Sequence, residues 1–230
     1  MKRIGVLGGI GPQATMDFEA RVHRVAQRLV PQDWGRGYPP MVVWYHRRPP
    51  VSLGDDGRAV LPMEIDPQLV DAAAWLGKAA DFLVIPCNSA HVGLPAIVQA
   101  AGCPVLSMIE VTLDEVARRG ATRVGVLGFG GPSPLYLEPL GRRGIACETI
   151  DASVQASIDA AVRAVMEGRN GQAEADVALG AVSRLRARGT NGIVLGCTEI
   201  PLMLGRDREA ADLIDPGAVL AEAAVRFALS

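Results

Sequence analysis

Two runs of the sequence carry the residues best suited to chemistry: "VIPCNSAH" at 84–91 and "IVLGCTEI" at 193–200. In each, an apolar run stops at Pro or Gly and a cysteine follows. Small hydrogen-bonding residues come next, Asn88 and Ser89 in one run and Thr198 in the other. Such runs read as strands, so Cys87 and Cys197 lie beyond strand carboxyl ends, where open parallel sheets bind ligands. A helix beginning just after would aim N–H groups and partial positive charge at the thiol, favouring the basic thiolate. The same N–H groups, with Asn88, Ser89 and Thr198, could hold a carboxylate. Two thiols facing one small molecule suit inversion of a carbon centre, one taking a proton from one face and the other returning one to the opposite face. The carbanion between those steps needs fixed donors and exclusion of water; Gly9, Gly11, Asn88 and Thr198 are the candidates. His91, four residues after Cys87, shares its side of a helix begun near Asn88 and could tune the thiol or simply pack. Glu199 and Glu110 read as supporting residues in the adjoining turns.

The elements that must position these residues alternate along the chain. Short β-branched runs at 3–7, Met41–Tyr45, 82–85, 105–107, Arg123–Leu127, 146–150, Gly192–Leu195 and 212–214 read as strands. Helical patterns fill the gaps, with an apolar stripe of Met16, Ala20, Val22, Val25, Ala26 and Leu29 in the first. Others fit 68–79, 90–101, 113–119, 153–167, 172–188 and 217–229, the last opened by Asp215 as N-cap and Pro216 at the first position. Near-continuous apolar strands alternating with helices predict an α/β fold with parallel sheets covered on both faces. The chain also repeats itself. "RIGVLGGIGP" at 3–12 and "RVGVLGFGGP" at 123–132 match at seven of ten places with an offset of 120, and the two cysteines are 110 apart. One loop length absorbs the difference, so two similar halves are expected. They divide as 1–102 plus 208–230, with the last helix returning to the first half, and 103–207.

With 230 residues the chain can bury a core without disulfides or metal staples. Lys and Arg total 23 against 25 Asp and Glu, a formal charge of −2 that gives no case for nucleic acid or an anionic lipid surface as partner. No apolar stretch approaches the roughly 20 residues of a membrane span, and the opening "MKRIGVLGG" is too short in apolar run for a signal peptide, so a cytoplasmic location is expected. The four cysteines form no CxxC pair, and His23, His46 and His91 fall in no zinc spacing, so no metal is expected; Cys103 and Cys147 read as packed thiols.

"GVLGGIGPQAT", "PCNSAH", "SMIE" and "GCTEI", in this order, resemble the cofactor-independent aspartate/glutamate racemase family, nearest its aspartate racemase branch. The resemblance runs over essentially the whole chain, to the "LIDP" before the final helix. It implies two pseudo-symmetric parallel-sheet domains with the active site between them, a homodimer, an amino-acid or dicarboxylate substrate and no pyridoxal phosphate or other cofactor. It also implies that Cys87 and Cys197 are the acid–base pair, with Asn88, Ser89 and Thr198 around the substrate carboxylate. The departures concern the side-chain pocket. Where the family carries Asp-Arg after the second strand, this chain has Ser52 and Leu53 within "YHRRPPVSL"; its second-half Thr-rich loop is "GFGGPS" here, and a family lysine aligns near Glu167. Arg47 or Arg48 could replace the lost carboxylate partner, guanidinium being suited to bidentate carboxylate binding, and 47–62 could form a lid. Three other readings compete. One is a cysteine-dependent isomerase or decarboxylase of small dicarboxylates, and another a non-catalytic binding protein of the same descent. The third is an NADP-binding oxidoreductase, from GxGxxA at 9–14 and an arginine after the second strand.

Overall fold

In chain order the computed structural model contains β1 (Ile4–Gly8), α1 (Pro12–Leu29), β2 (Met41–Tyr45), α2 (Pro67–Gly77), β3 (Phe82–Val84), α3 (Leu94–Ala101), β4 (Val105–Leu106) and α4 (Met108–Arg118). These are followed by β5 (Arg123–Leu127), α5 (Pro134–Arg142), β6 (Ala146–Glu148), α6 (Ala152–Met166), α7 (Gln172–Ala187), β7 (Gly192–Leu195), α8 (Ile200–Leu204), β8 (Leu213–Ile214) and α9 (Pro216–Leu229). Two single-turn 3-10 segments, Ser89–Gly93 and Gly205–Glu209, precede α3 and follow α8. Residues 1–52, 60 and 63–230 are described. The chain forms two compact units, Met1–Val111 with Gly217–Ser230, and Thr112–Pro216. The crossings fall within α4 and at the start of α9, against 102/103 and 207/208 in the sequence reading. Among the described residues no helix is long and apolar enough to cross a membrane.

Among the described residues each unit has one four-stranded parallel sheet, ordered β2-β1-β3-β4 in the first and β6-β5-β7-β8 in the second. This is the expected α/β class. In the first sheet, side chains alternate between two cores as the pleat requires. Ile4, Val6, Phe82 and Val84 pack with Phe18, Val22 and Ala26 of α1 and Leu220, Ala224 and Val225 of α9. Leu7, Leu83 and Ile85 face the other way, onto Leu69, Ala73 and Leu76 of α2 and Ile97 of α3. In the second unit Leu127, Ile193 and Leu195 pack with Ile158, Val162 and Val165 of α6 and Ala178, Val182 and Leu185 of α7.

Register makes the internal repeat exact at the strands. Val6 pairs with Val84, and Val126, 120 residues after Val6, pairs with Val194, 110 after Val84. Cys87 and Cys197 therefore stand equally far beyond equivalent paired residues.

Four local features differ from the sequence expectation. Helix α5 was not anticipated in a stretch with prolines at 132, 134 and 139, yet Ser133 caps it by accepting from the Leu135 N–H (3.3 Å) and Pro134 sits in its first turn, where a missing N–H costs nothing. Helix α8 likewise opens on Pro201. The helix expected over 90–101 is split into the 3-10 turn and α3, with Pro95 in the first turn of α3. Helix α4 starts at Met108 because Ser107 accepts from the Glu110 N–H (3.2 Å), half of an S-x-x-E capping box.

Candidate functional site

In both sheets the strand order reverses beside the first strand of the half, so the crevice outside the carboxyl ends of β1 and β3, and of β5 and β7, is a topological switch point. The Gly9–Gly11 turn and Cys87 follow β1 and β3; the Gly128 loop and Cys197 follow β5 and β7.

In the first unit the turn after β1 is fixed by Thr15, a buried residue the sequence reading passed over. Its Oγ1 accepts from the Gly9 N–H (2.7 Å) and donates to the Gly11 carbonyl (3.1 Å). The Gly9 N–H is thereby committed to the fold, and Gly11 becomes the N-cap of α1. Gly9 has φ of 76°, and a Cβ there would stand 2.3 Å from Tyr45 Cα and 2.6 Å from the His46 nitrogen. Gly9→Ala is therefore expected to lower stability by about 2 kcal/mol or more, from the left-handed backbone and a backbone clash that no rotamer relieves. The urea midpoint of the purified variant checks this. Gln13, second residue of α1, has a buried Oε1 with no partner among the described residues.

Cys87 is buried, with Sγ 3.5 Å from Ser89 Oγ and its N–H closing a tight turn onto the Ile85 carbonyl (2.8 Å). Asn88 is buried beside it. His91 directs both ring nitrogens at backbone: Nδ1 is 2.9 Å from the Cys87 carbonyl oxygen, and Nε2 lies 3.0 Å from the Met108 nitrogen. Burial pushes its imidazole down to about 4, against the opposing pull of the Cys87 and Asn88 backbone. The helix expected at Asn88 is only a 3-10 turn, and only the five-residue α8 follows Cys197. The 3-10 turn gives way to α3 at Leu94 and α8 stops at Gly205, so the aligned dipole of a long helix is not available to either thiol.

At the end of β2, Arg47 lies over the Tyr45 ring at 4.6 Å, and the Tyr45 hydroxyl donates to Glu19 (2.9 Å). Arg48 donates from Nε to Asp66 Oδ2 at 3.0 Å. Oδ1 of the same carboxylate caps α2 at the Gln68 N–H (3.0 Å). Burial pushes the Asp66 carboxyl up, but the Gln68 N–H and Arg48 more than offset it and hold it below its ordinary value. His46 is 5% exposed, with Nε2 3.4 Å from Oδ2 and no hydrogen-bond partner among the described residues. Asp66 and His46 were not among the sequence candidates. "DP" at 66–67 was the one available signal, an N-cap followed by Pro. The expected lid over 47–62, and Leu53 with it, lies largely outside the described residues. Its base is described: Val51 bridges Ile65, and the Asp66 N–H donates to the Pro50 carbonyl (2.9 Å). Ile65 packs in the same cluster as Cys87 and Ile10. Glu110 is exposed in the first turn of α4.

In the second unit, Cys197 Sγ donates to Glu199 Oε2 at 3.1 Å, and Thr198 Oγ1 donates to the same oxygen at 3.1 Å. Glu199 is buried and precedes the first residue of α8. A Cβ at Gly196 would meet the Leu127 carbonyl at 2.7 Å and the buried Tyr136 ring at 3.5 Å, so glycine lets the cysteine loop lie flat on both. The Gly128 loop is laced to α6: Asp159 accepts from the Gly130 N–H (2.8 Å), and Gln155 donates to the Gly128 carbonyl (2.8 Å). Glu167 lies exposed at the carboxyl end of α6, paired with Arg169.

Residues 7–224 match the family described as Asp/Glu/hydantoin racemase. Over 126 residues the chain is 32% identical to the broad specificity amino-acid racemase RacX of Bacillus subtilis (strain 168), a match covering 54% of this chain and 53% of that protein. The matched stretch is thus about half the length of that relative. Among solved structures, the aspartate racemase of Picrophilus torridus has a TM-score of 0.79 at 19% identity, over 99% of this chain and 94% of that one. An aspartate racemase homologue from Pyrococcus horikoshii OT3 has a TM-score of 0.77 at 19% identity over 100% of both chains. At those identities the structural likeness speaks to the fold.

Proposed function

The chain belongs to the Asp/Glu/hydantoin racemase family, and from that premise we propose that it inverts the α-carbon of an amino acid with Cys87 and Cys197 as the acid–base pair. The observation that carries the reading is the register: two thiols stand at equivalent places beyond β3 and β7 of two equivalent sheets. One thiolate removes the α-proton, and the thiol on the other face returns one. A single proton is shared by the pair, so the reaction runs either way. Cys197, whose S–H donates to Glu199 at 3.1 Å, is the protonated partner in the arrangement described. When Cys197 instead acts as base, the carboxylate of Glu199 can orient the incoming S–H without taking the proton itself. Asn88 and Ser89, with Thr198 once its hydroxyl turns from Glu199, hold the substrate carboxylate, and with it the charge that develops on the carbanion.

An acidic side chain is the first choice of substrate. Arg48 is oriented by Asp66 through one edge of its guanidinium, which leaves a fork suited to a second carboxylate. The resemblance to a broad specificity racemase makes neutral and basic amino acids the necessary comparison. Single L-amino acids incubated with the protein in deuterated water, without added cofactor, are expected to lose their α-proton NMR signal and form the D-enantiomer, aspartate or glutamate fastest. Retention of every α-proton across an acidic, neutral and basic panel would overturn the proposal.

A further inference from the structure

His91 is the most completely buried titratable side chain beside Cys87, and proton transfer does not use it directly. It is 4% exposed, and neither ring nitrogen is aimed at a sulfur. A backbone N–H can only donate, so Nε2 accepts from Met108, and Nδ1 must carry the proton that it donates to the Cys87 carbonyl. The tautomer is fixed by these two bonds, and the depressed basicity that burial imposes keeps the ring neutral near pH 7.

We propose that His91 is a positioning residue for Cys87: in its neutral Nδ1–H form it clamps the peptide carbonyl of the thiol-bearing residue to the first residue of α4, and so fixes where Sγ stands. The clamp answers a weakness in the loop. Strand β3 stops at Val84, Pro86 has no N–H to give to a ladder, and the chain then turns within two residues before a single 3-10 turn. The parallel ladder thus ends before Cys87. Helix α4 offers a firmer reference. It is capped at Ser107, and Met108 is fully buried in the core beneath β1 and β3. An acid–base group must be held to a fraction of an ångström, and a misplacement of about 1 Å costs about 10²-fold in rate.

This inference rests on the acid–base role of Cys87, and its test separates the two. His91→Asn places an amide nitrogen where Nδ1 stands and keeps the bond to Cys87; His91→Gln places an oxygen where Nε2 stands and keeps only the bond from Met108. In the Gln variant, kcat is expected to fall about 10²-fold with KM within about threefold of the parent, because geometry and not affinity is lost. Iodoacetamide alkylation without substrate, followed peptide by peptide, is expected to run about fivefold faster at Cys87 as the loop loosens, and unchanged at Cys197. The Asn variant is expected to recover about tenfold or more of the lost kcat, with Cys87 alkylation near the parental rate. Equal kcat and equal Cys87 alkylation in the two variants would overturn the clamp. An alkylation difference in a protein that racemises no amino acid would uphold the clamp and overturn the acid–base role alone.

Discussion

Cys87→Ser and Cys197→Ser are each expected to lower racemisation by about 10³-fold, within the range that general acid–base groups contribute, while leaving the fold intact. Serine fills the space of a thiol but is far too weak an acid to exist as its anion near neutral pH, so each variant loses the one group able to take or give a proton on its face. The two losses are not equivalent. With Cys197 removed, Cys87 can still abstract and return the α-proton on its own side, so one enantiomer exchanges its α-hydrogen with solvent without being inverted. With Cys87 removed, the other enantiomer does so. Following the α-proton by NMR from pure L and pure D substrate, in each variant, reads both effects at once. The double variant should exchange neither. If both single variants racemise at the parental rate, the thiols are structural and the assignment falls. Exchange of the same enantiomer in both variants would mean that the thiols do not serve opposite faces.

How much of this was legible in the sequence follows from the range of the interactions involved. The strands could be read because β-branched runs are local signals. The equivalence of the positions of Cys87 and Cys197 could be read because a repeated motif carries its own offset; the register of Val84 and Val194 reproduces that 110-residue spacing. Helices α5 and α8 are only nine and five residues long, too short for an apolar period to show, although prolines 134 and 201 each fit a first turn. The early start of α4 had a local signature, Ser107 three residues before Glu110, that was attributed to the preceding strand instead. The contacts that shape the site were not legible at all. Asp66 reaching Arg48 and His46, and Tyr136 lying under Gly196, join residues that only the folded sheet brings together, while Thr15 closes the Gly9 turn from six residues away with a hydroxyl that no apolar pattern marks. His91 is the intermediate case. Its nearness to Cys87 is written in the spacing of four, but its second partner, Met108, comes from the helix after the next strand.

Burial of its ring gives His91 a measurable effect on stability as pH falls. In the folded protein its pKa is about 4, lowered by burial, against an ordinary value of 6.5. Above pH 6.5 the ring is neutral folded or unfolded and contributes no pH dependence. Between 6.5 and 4 only the unfolded chain takes up the proton, so stability falls with falling pH; below 4 both forms are charged and the slope ends. The full loss is about 3 kcal/mol, of which about 2 is reached by pH 5, since each unit of pKa difference is worth about 1.4 kcal/mol. Protonation would also set a new N–H against the Met108 N–H, so the clamp on Cys87 opens as the fold weakens. Carboxylates occupy a lower window: Glu115, held down to about 2 chiefly by its bonds from Arg118, with Arg119 adding to it, loses its contribution only as pH drops below its ordinary 4.5. Urea unfolding at pH 7 and pH 5 is therefore expected to differ by about 2 kcal/mol more in the parent than in His91→Asn, where no ring remains to titrate. An equal pH dependence in both would show that His91 takes up its proton as readily in the fold as outside it. That outcome is incompatible with a neutral ring held between two backbone groups.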